Sequence, residues 1–416
     1  MPLYLIFITK SIILSMSKTN RIFCIILILS SMTVLSSFVP SFILSSKSIF
    51  AQSVTNTIKS RNLVIDLGNG IKTKAQLTLP TSGKGPYPGV LLVNLGGPQD
   101  MNDTNSGIFV KGEFKTVKPF WQIAQYLSEK GFAVLRFDKR GIGENDTIIN
   151  DNVWGNATFN DLKNDTEKVL AVLIQQPEID SHKISILGHS EGSRIAPRIA
   201  IENPDKIKNM ILMGAPALND NETTYHDIVD IIDYAKQVVD KDKDGLISLQ
   251  EASASPMKDI LISFDTKNLV FLTELKPITD NNNNASYVGI DNGIKPFLMN
   301  IIRPPNITEL SGPCQDPQNC PLMKKSSLAL PPLLNIIDKV HSNTSILFLE
   351  GDNDSPQHTL MLNQRLNESN HPDHKYIIYP GLGHLFYPSP KLFSQMGPLP
   401  NYVLHDIFLW LEEHTK

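Results

Sequence analysis

The sequence predicts an α/β protein: a mostly parallel central sheet with helices on both faces, interrupted by a mainly helical insertion. Three observations carry this expectation. From residue 62 short apolar runs alternate with helical patterns, the signature of a sheet covered on both sides. After Pro216 the alternation stops, and residues 217–340 are richer in Asn, Asp and Pro. At Ser345 it resumes with two more apolar runs and a closing helix.

The elements follow in order. Leu63 to Ile65 and Ala75 to Leu79 read as an opening antiparallel pair, and Gly89 to Asn94 (GVLLVN) as the first central strand. That run is apolar at consecutive positions because a strand covered on both faces has no polar side. A helix through Trp121 to Lys130 precedes a second central strand, Phe132 to Phe137. Lys183 to Leu187 and Met210 to Met213 continue the series; Ser345 to Phe348 and His374 to Tyr379 complete it. In the last helix, Asn401 to Glu413, residues Val403, Leu404, Ile407, Phe408 and Leu411 share one face at helical spacing.

The chain has 416 residues, 41% hydrophobic and 19% charged, ample for one large domain with an insertion. Residues 1–51 differ from the rest. They hold Lys10, Lys18, Arg21 and Lys47 and no acidic residue, with an apolar run from Ile22 to Leu44 and the small Ala51 beyond it. This order reads as a secretory signal peptide, the alternative being an uncleaved N-terminal membrane anchor. Either places residues 52 onward in a secreted or extracytoplasmic location, with membrane contact only through that segment. Cys314 and Cys320 are then the remaining cysteines, spaced for a small disulfide loop in an oxidising compartment. A zinc site is disfavoured because no second pair of ligands lies nearby. Of 38 Lys+Arg, four leave with the first 51 residues; the remaining 34 face 42 Asp+Glu, a net charge of about −8. That balance excludes nucleic acid as a natural partner.

The segment ISILGHSEGSRIAP places Gly188-His189-Ser190-Glu191-Gly192 after an apolar strand and before a helical pattern. This is the context of a nucleophile elbow, where the flanking glycines admit a turn too tight for larger side chains. Outside that context the five residues would be an ordinary Gly-Ser turn. A serine hydroxyl is a poor nucleophile at neutral pH and needs a base and an acid to orient it. Asp354, in GDNDSP after the strand ending at Leu349, is the expected acid, with Asp352 as the alternative. His384, in the loop YPGLGHLFYP, is the expected base; of ten histidines it follows the last strand and precedes the last helix. The negative charge that develops on a carbonyl oxygen needs N–H donors. The amide of Glu191 and an amide of the NLGGPQD loop, Gly96 or alternatively Gly97, are expected to supply them.

The combination LLVNLGGPQD, AVLRFDKRGIGEN and ILGHSEGSRIAP resembles the α/β-hydrolase superfamily over residues 52–216 and 341–416. It is most similar to secreted esterases related to dienelactone hydrolase and to serine aminopeptidase-like lipases. The resemblance implies the α/β-hydrolase fold, a small-molecule ester or short peptide as substrate, no organic cofactor, and a structural role for Asp138, Arg140, Gly141 and Gly143. The chain departs from it at Asn94-Leu95, where many relatives have His-Gly, and at Pro197, which predicts a short or kinked helix after Ser190. Residues 217–340 are expected to form a lid.

Within the insertion, DKDKDGLISLQE matches a twelve-residue EF-hand-like calcium loop, residues 240–251. Oxygen ligands are expected from Asp240, Asp242, Asp244, the carbonyl of Leu246, Ser248 and Glu251, with Gly245 permitting the sharp turn. Ile228, Ile231, Ile232, Ala235, Val238 and Val239 are spaced for one face of the incoming helix, and Pro256 interrupts the outgoing one.

Overall fold

Asn-Gly between two apolar runs is a strong hairpin signal, since both central residues of the tight turn need positive φ. At Asn69 and Gly70 φ is 52° and 77°, and the turn joins Ile58–Gly68 (β1) to the antiparallel Ile71–Pro80 (β2). The computed structural model describes residues 58–110, 113–248, 251, 278–279, 285–296, 299, 310–389 and 394–415. The expected leader and the helix interrupted by Pro256 lie outside these residues. Among the described residues no helix is long and apolar enough to cross a membrane.

Tyr87–Val93 (β3) leads into a hairpin, Asn105–Val110 (β4) and Glu113–Val117 (β5), then Pro119–Ser128 (α1) and Ala133–Phe137 (β6). Asp151–Gly155 (α2) and Phe159–Ile174 (α3) precede Ile179–His189 (β7), Glu191–Glu202 (α4) and Ile207–Met213 (β8). The insertion begins with Asp220–Tyr234 (α5) and includes Leu246–Ser248 (β9), Ile278–Thr279 (β10), Ala285–Gly289 (β11) and Pro321–Leu328 (α6). Ser345–Gly351 (β12), Pro356–Glu368 (α7), His374–Tyr379 (β13) and Asn401–Thr415 (α8) close the chain. The sheet order is β1-β2-β6-β3-β7-β8-β12-β13, with β6 through β13 parallel and β2 antiparallel to β6.

Consecutive apolar residues in the central strands serve opposite faces. Val90 and Leu92 of β3 pack with Phe120, Ile123 and Leu127 of α1 and Val403 and Ile407 of α8, whereas Leu91 and Val93 pack on the face of α3 and α4. The same division separates Leu347 and Leu349 of β12 from Ile346 and Phe348. Each such buried side chain stabilises the fold by about 1.5–3 kcal/mol. A side-chain period of two thus seals both layers and points every parallel strand's carboxyl end to one edge.

The structure departs from the sequence reading at four places. The β4–β5 hairpin was not expected. The helix after Ser190 is not short: α4 runs twelve residues through Pro197, its inner turns buried between sheet and α3, so one lost hydrogen bond does not end it. The insertion is not only helical, because β9, β10 and β11 form a small antiparallel sheet. Finally, residues 235–239 form a wider π turn, which rotates Val238 out of the expected stripe to 38% exposure while Ile228, Ile232, Ala235 and Val239 stay buried with Ile247, Ile290 and Ile294.

Candidate active site

Ser190 sits between the end of β7 and the first turn of α4, at φ 53° and ψ −108°. A non-glycine residue there is strained and persists only where its surroundings fix it. They do: the Ser190 amide donates to the Met213 carbonyl at 2.8 Å, and a Cβ on Gly192 would collide with the Val93 carbonyl, one on Gly188 with the backbone of Gly192. The strand-to-helix turn therefore closes only with glycine at both flanks. It holds the hydroxyl at the N-terminus of α4, where unpaired amides favour negative charge.

Asp354 and His384 arrive from the ends of the last two strands, β12 and β13. His384 Nδ1–H donates to Asp354 Oδ2 at 2.7 Å, and Nε2 lies 2.9 Å from Ser190 Oγ, placed to accept its proton. Asp352 Oδ1 instead accepts the Gly381 amide at 2.6 Å, fastening the β13 loop. Burial pushes the Asp354 carboxyl up, but the charge of His384 and hydrogen bonds from His384 and Glu350 outweigh it, holding the carboxyl below the usual range. Asp354 is thereby kept ionised beside the imidazole.

Glu191 and Gly96 both line a cavity of about 700 Å³ that also reaches Ser190, Asp354 and His384. Gly97, the alternative, lies there too, at φ 82° and against the Gln318 side chain. The insertion forms the outer wall through Asp220, Thr223 and Thr224 of α5, Gln318, and Met323 and Lys324 of α6. Gln318 belongs to a loop closed by a Cys314–Cys320 disulfide and anchored by Trp154 Nε1 donating to the Pro317 carbonyl at 2.9 Å.

Three side chains here carried no signal of their own in the sequence. His189 is fully buried and donates from Nε2 to the His384 carbonyl at 3.0 Å; burial, then the neighbouring His384, lowers its pKa to about 3, so it stays neutral. Glu350, 1% exposed, accepts from Thr359 Oγ1 at 3.1 Å, and burial with the nearby Asp354 charge pushes its pKa well above the carboxylate range. The Glu350 and Asp354 side chains share a hydrogen bond, which favours the charged form of Asp354 and the neutral form of Glu350. Lys139 pairs with Glu191 at 2.6 Å, although the sequence reading kept its segment out of the site. Its neighbours hold the fold: Arg140 pairs with Asp165 at 2.7 Å, and Asp138 accepts the Met101 amide at 2.8 Å.

In the calcium-loop segment, oxygens of Asp240, Asp242 and Asp244 lie within 4.8 Å of one another. Gly245, at φ 81°, makes the turn, and its amide donates to Asp240 Oδ2 at 2.9 Å. Asp240 is 4% exposed, and its Oδ1 is buried without a partner among the described residues. The structure does not bring Glu251 into this group. Its carboxylate accepts the amides of Lys241 at 2.7 Å and Ser248 at 2.9 Å and the Ser248 hydroxyl at 2.7 Å, so both expected ligands bond each other. Leu246 enters β9, paired opposite Gly289.

A mostly parallel eight-stranded sheet with Ser, Asp and His, in that chain order, in loops at strand ends defines the α/β-hydrolases, and this chain has that fold. Sequence likeness agrees: residues 107–247 match the family described as serine aminopeptidase, S33. Over 150 residues, 36% of this chain, it is 33% identical to esterase EstD of Thermotoga maritima, and the match spans 31% of that esterase. Among solved structures it is similar to proline iminopeptidase of Mycobacterium smegmatis, at 14% identity and a TM-score of 0.48 over 85% of this chain and 99% of that one. The α/β-hydrolase GrgF from Penicillium sp. sh18 is similar at 15% identity and a TM-score of 0.45, over 86% and 99%.

Proposed function

We propose that this protein is a secreted serine hydrolase that cleaves carboxylic esters through an acyl-enzyme. The observation that carries the reading is the continuous relay from Asp354 through His384 to Ser190 Oγ, with spacings of 2.7 and 2.9 Å, opening into one cavity. Ser190 Oγ attacks the ester carbonyl while His384 Nε2 takes its proton; Asp354 stabilises the imidazolium that forms. The oxyanion is held by the amides of Glu191 and Gly96. On collapse the C–O bond to the alcohol breaks, and His384 returns the proton to the leaving oxygen. Water, deprotonated by His384, then attacks the acyl carbon and releases the acid and Ser190. Residues 217–340 act as the lid that walls the pocket. Peptide cleavage of the aminopeptidase or dipeptidyl-peptidase kind is the second reading, favoured by the family matched over residues 107–247. A third, a non-catalytic calcium-binding surface protein, is disfavoured by the complete relay.

The test is a fluorophosphonate probe followed by a substrate panel. Stoichiometric labelling of wild type at Ser190, absent in Ser190→Ala, is the expected result. Turnover of graded p-nitrophenyl esters in preference to aminoacyl and dipeptidyl anilides supports the esterase, and the reverse order the peptidase.

We also propose calcium as a structural ion in the insertion. The donor set fits a hard cation: three carboxylates converge, and one Asp240 oxygen is buried without a partner among the described residues. Asp240, Asp242 and Asp244 would hold the ion.

A further inference from the structure

We propose that Lys139 is a positioning residue that holds both oxyanion donors in register with Ser190. The proposal rests on the serine-hydrolase reading and extends it to a group that never touches the substrate. Lys139 lies just beyond β6, is 4% exposed, and has no place in the cavity wall. Its ammonium has three N–H groups and three acceptors: the Leu95 carbonyl at 2.5 Å, the Gly97 carbonyl at 3.0 Å and Glu191 Oε1 at 2.6 Å. Two of these belong to the loop that carries Gly96, and the third to the residue whose amide is the other donor. One buried cation therefore ties the loop after β3 to the first turn of α4.

The peptide geometry makes this consequential. In a trans peptide the carbonyl and the N–H point to opposite sides. Turning the Leu95 carbonyl onto Lys139 aims the Gly96 N–H away from Lys139, and Gly96 lines the cavity with Ser190. The Gly96 carbonyl is held in turn by Gln99 Nε2 at 3.3 Å, so the orientation of both peptides is specified. On the other side the Glu191 carboxylate is drawn back to Lys139, which fixes the first residue of α4 beside the strained Ser190. Without the ammonium, the Leu95 and Gly97 carbonyls and a carboxylate would face one another unpaired, and the loop would be expected to turn. A guanidinium does not replace it, because its donors lie in a plane whereas these acceptors surround a single nitrogen.

The experiment uses the full chain and the variants Lys139→Met, Lys139→Arg and Lys139→Met/Glu191→Gln, the last removing both charges of the pair so that no carboxylate is left buried alone. kcat and KM are measured on a p-nitrophenyl ester, together with the inhibition constant of a trifluoromethyl ketone that forms the tetrahedral adduct. The expected result is a kcat lowered up to about 100-fold in all three, KM within about threefold, and ketone affinity falling in proportion to kcat/KM. A merely structural role would shift melting without this split. Wild-type kcat in any folded variant, or failure of every variant to fold, assigns Lys139 to stability and overturns the proposal. Absence of fluorophosphonate labelling in wild type would instead defeat the underlying reading, whatever the variants do.

Discussion

Ser190, Asp354 and His384 and the acidic loop of residues 240–251 are both constellations of polar side chains, yet they are built in opposite ways. The first is gathered from three strand ends far apart in sequence, and its members reach one another at 2.7 and 2.9 Å. The second lies within twelve consecutive residues; its three aspartates converge, one with a buried oxygen unpartnered among the described residues, while Glu251 is bonded to loop amides. A site assembled by a packed sheet is held by the fold before any ligand arrives. A site within one loop has only local hydrogen bonds to set against the repulsion of its own carboxylates.

The largest effects that would break this comparison are at the sheet edge. Ser190→Ala and His384→Ala are each expected to lower kcat by about 10⁶ without lowering the melting temperature, since the backbone, not the side chains, fixes the elbow. Asp354→Asn is expected to lower kcat by about 10⁴, as the amide holds the wrong imidazole tautomer. Asp352→Asn should be the milder of the two, because Asp352 accepts the Gly381 amide while Asp354 takes the imidazole N–H. If the order is reversed, the relay is misassigned.

Calcium sharpens the contrast from the other side. An ion that binds only the folded state adds about 2.7 kcal/mol at a hundredfold excess over Kd, a shift of several degrees in Tm. Chelation is expected to lower Tm in wild type and to leave Asp240→Asn unmoved. Protein shown by metal analysis to carry calcium, yet melting identically with and without chelator, would remove the structural role.

The smallest effect concerns acids that the core does accommodate. Burial raises the Asp103 pKa to about 7, against the hydrogen bond from Asn94 and the charge of Lys139. The folded state therefore holds a proton that the unfolded chain releases near 3.8, so this group's stability is full below that value and lost as pH rises through about 7. Relative to wild type, Asp103→Asn should gain melting temperature between pH 5 and pH 8; a difference that does not change with pH would contradict it. His189 works in the opposite sense: its folded pKa of about 3 means that stability is lost as pH falls below its ordinary value of 6.5.

Much of the fold was legible because its signals are one-dimensional. Strand order, the flanking glycines of Ser190 and the positions of Asp354 and His384 after successive apolar runs all survive in a linear string, since parallel strands put every such loop at one edge. The pairing of Cys314 with Cys320, six positions apart, was equally visible, and the structure joins them in a disulfide. The β4–β5 hairpin and the small sheet of β9, β10 and β11 were not, because short strands in polar surroundings lack a period long enough to separate them from loops.

What the sequence determined by itself is the order of the chemical groups; what the tertiary structure decided is which of them meet. Nothing local in FDKRG distinguishes Lys139 from Arg140, yet one reaches the Glu191 carboxylate and the other pairs with Asp165. Nothing in LEGDND separates Glu350, buried and hydrogen-bonded to Asp354, from Asp352, which binds a loop amide, except their positions along β12 and the turn after it. The reason is physical: the pleat and the turn fix each side chain's direction, and desolvation and neighbouring charge, both properties of the packed state, then decide which group is ionised, neutral or paired.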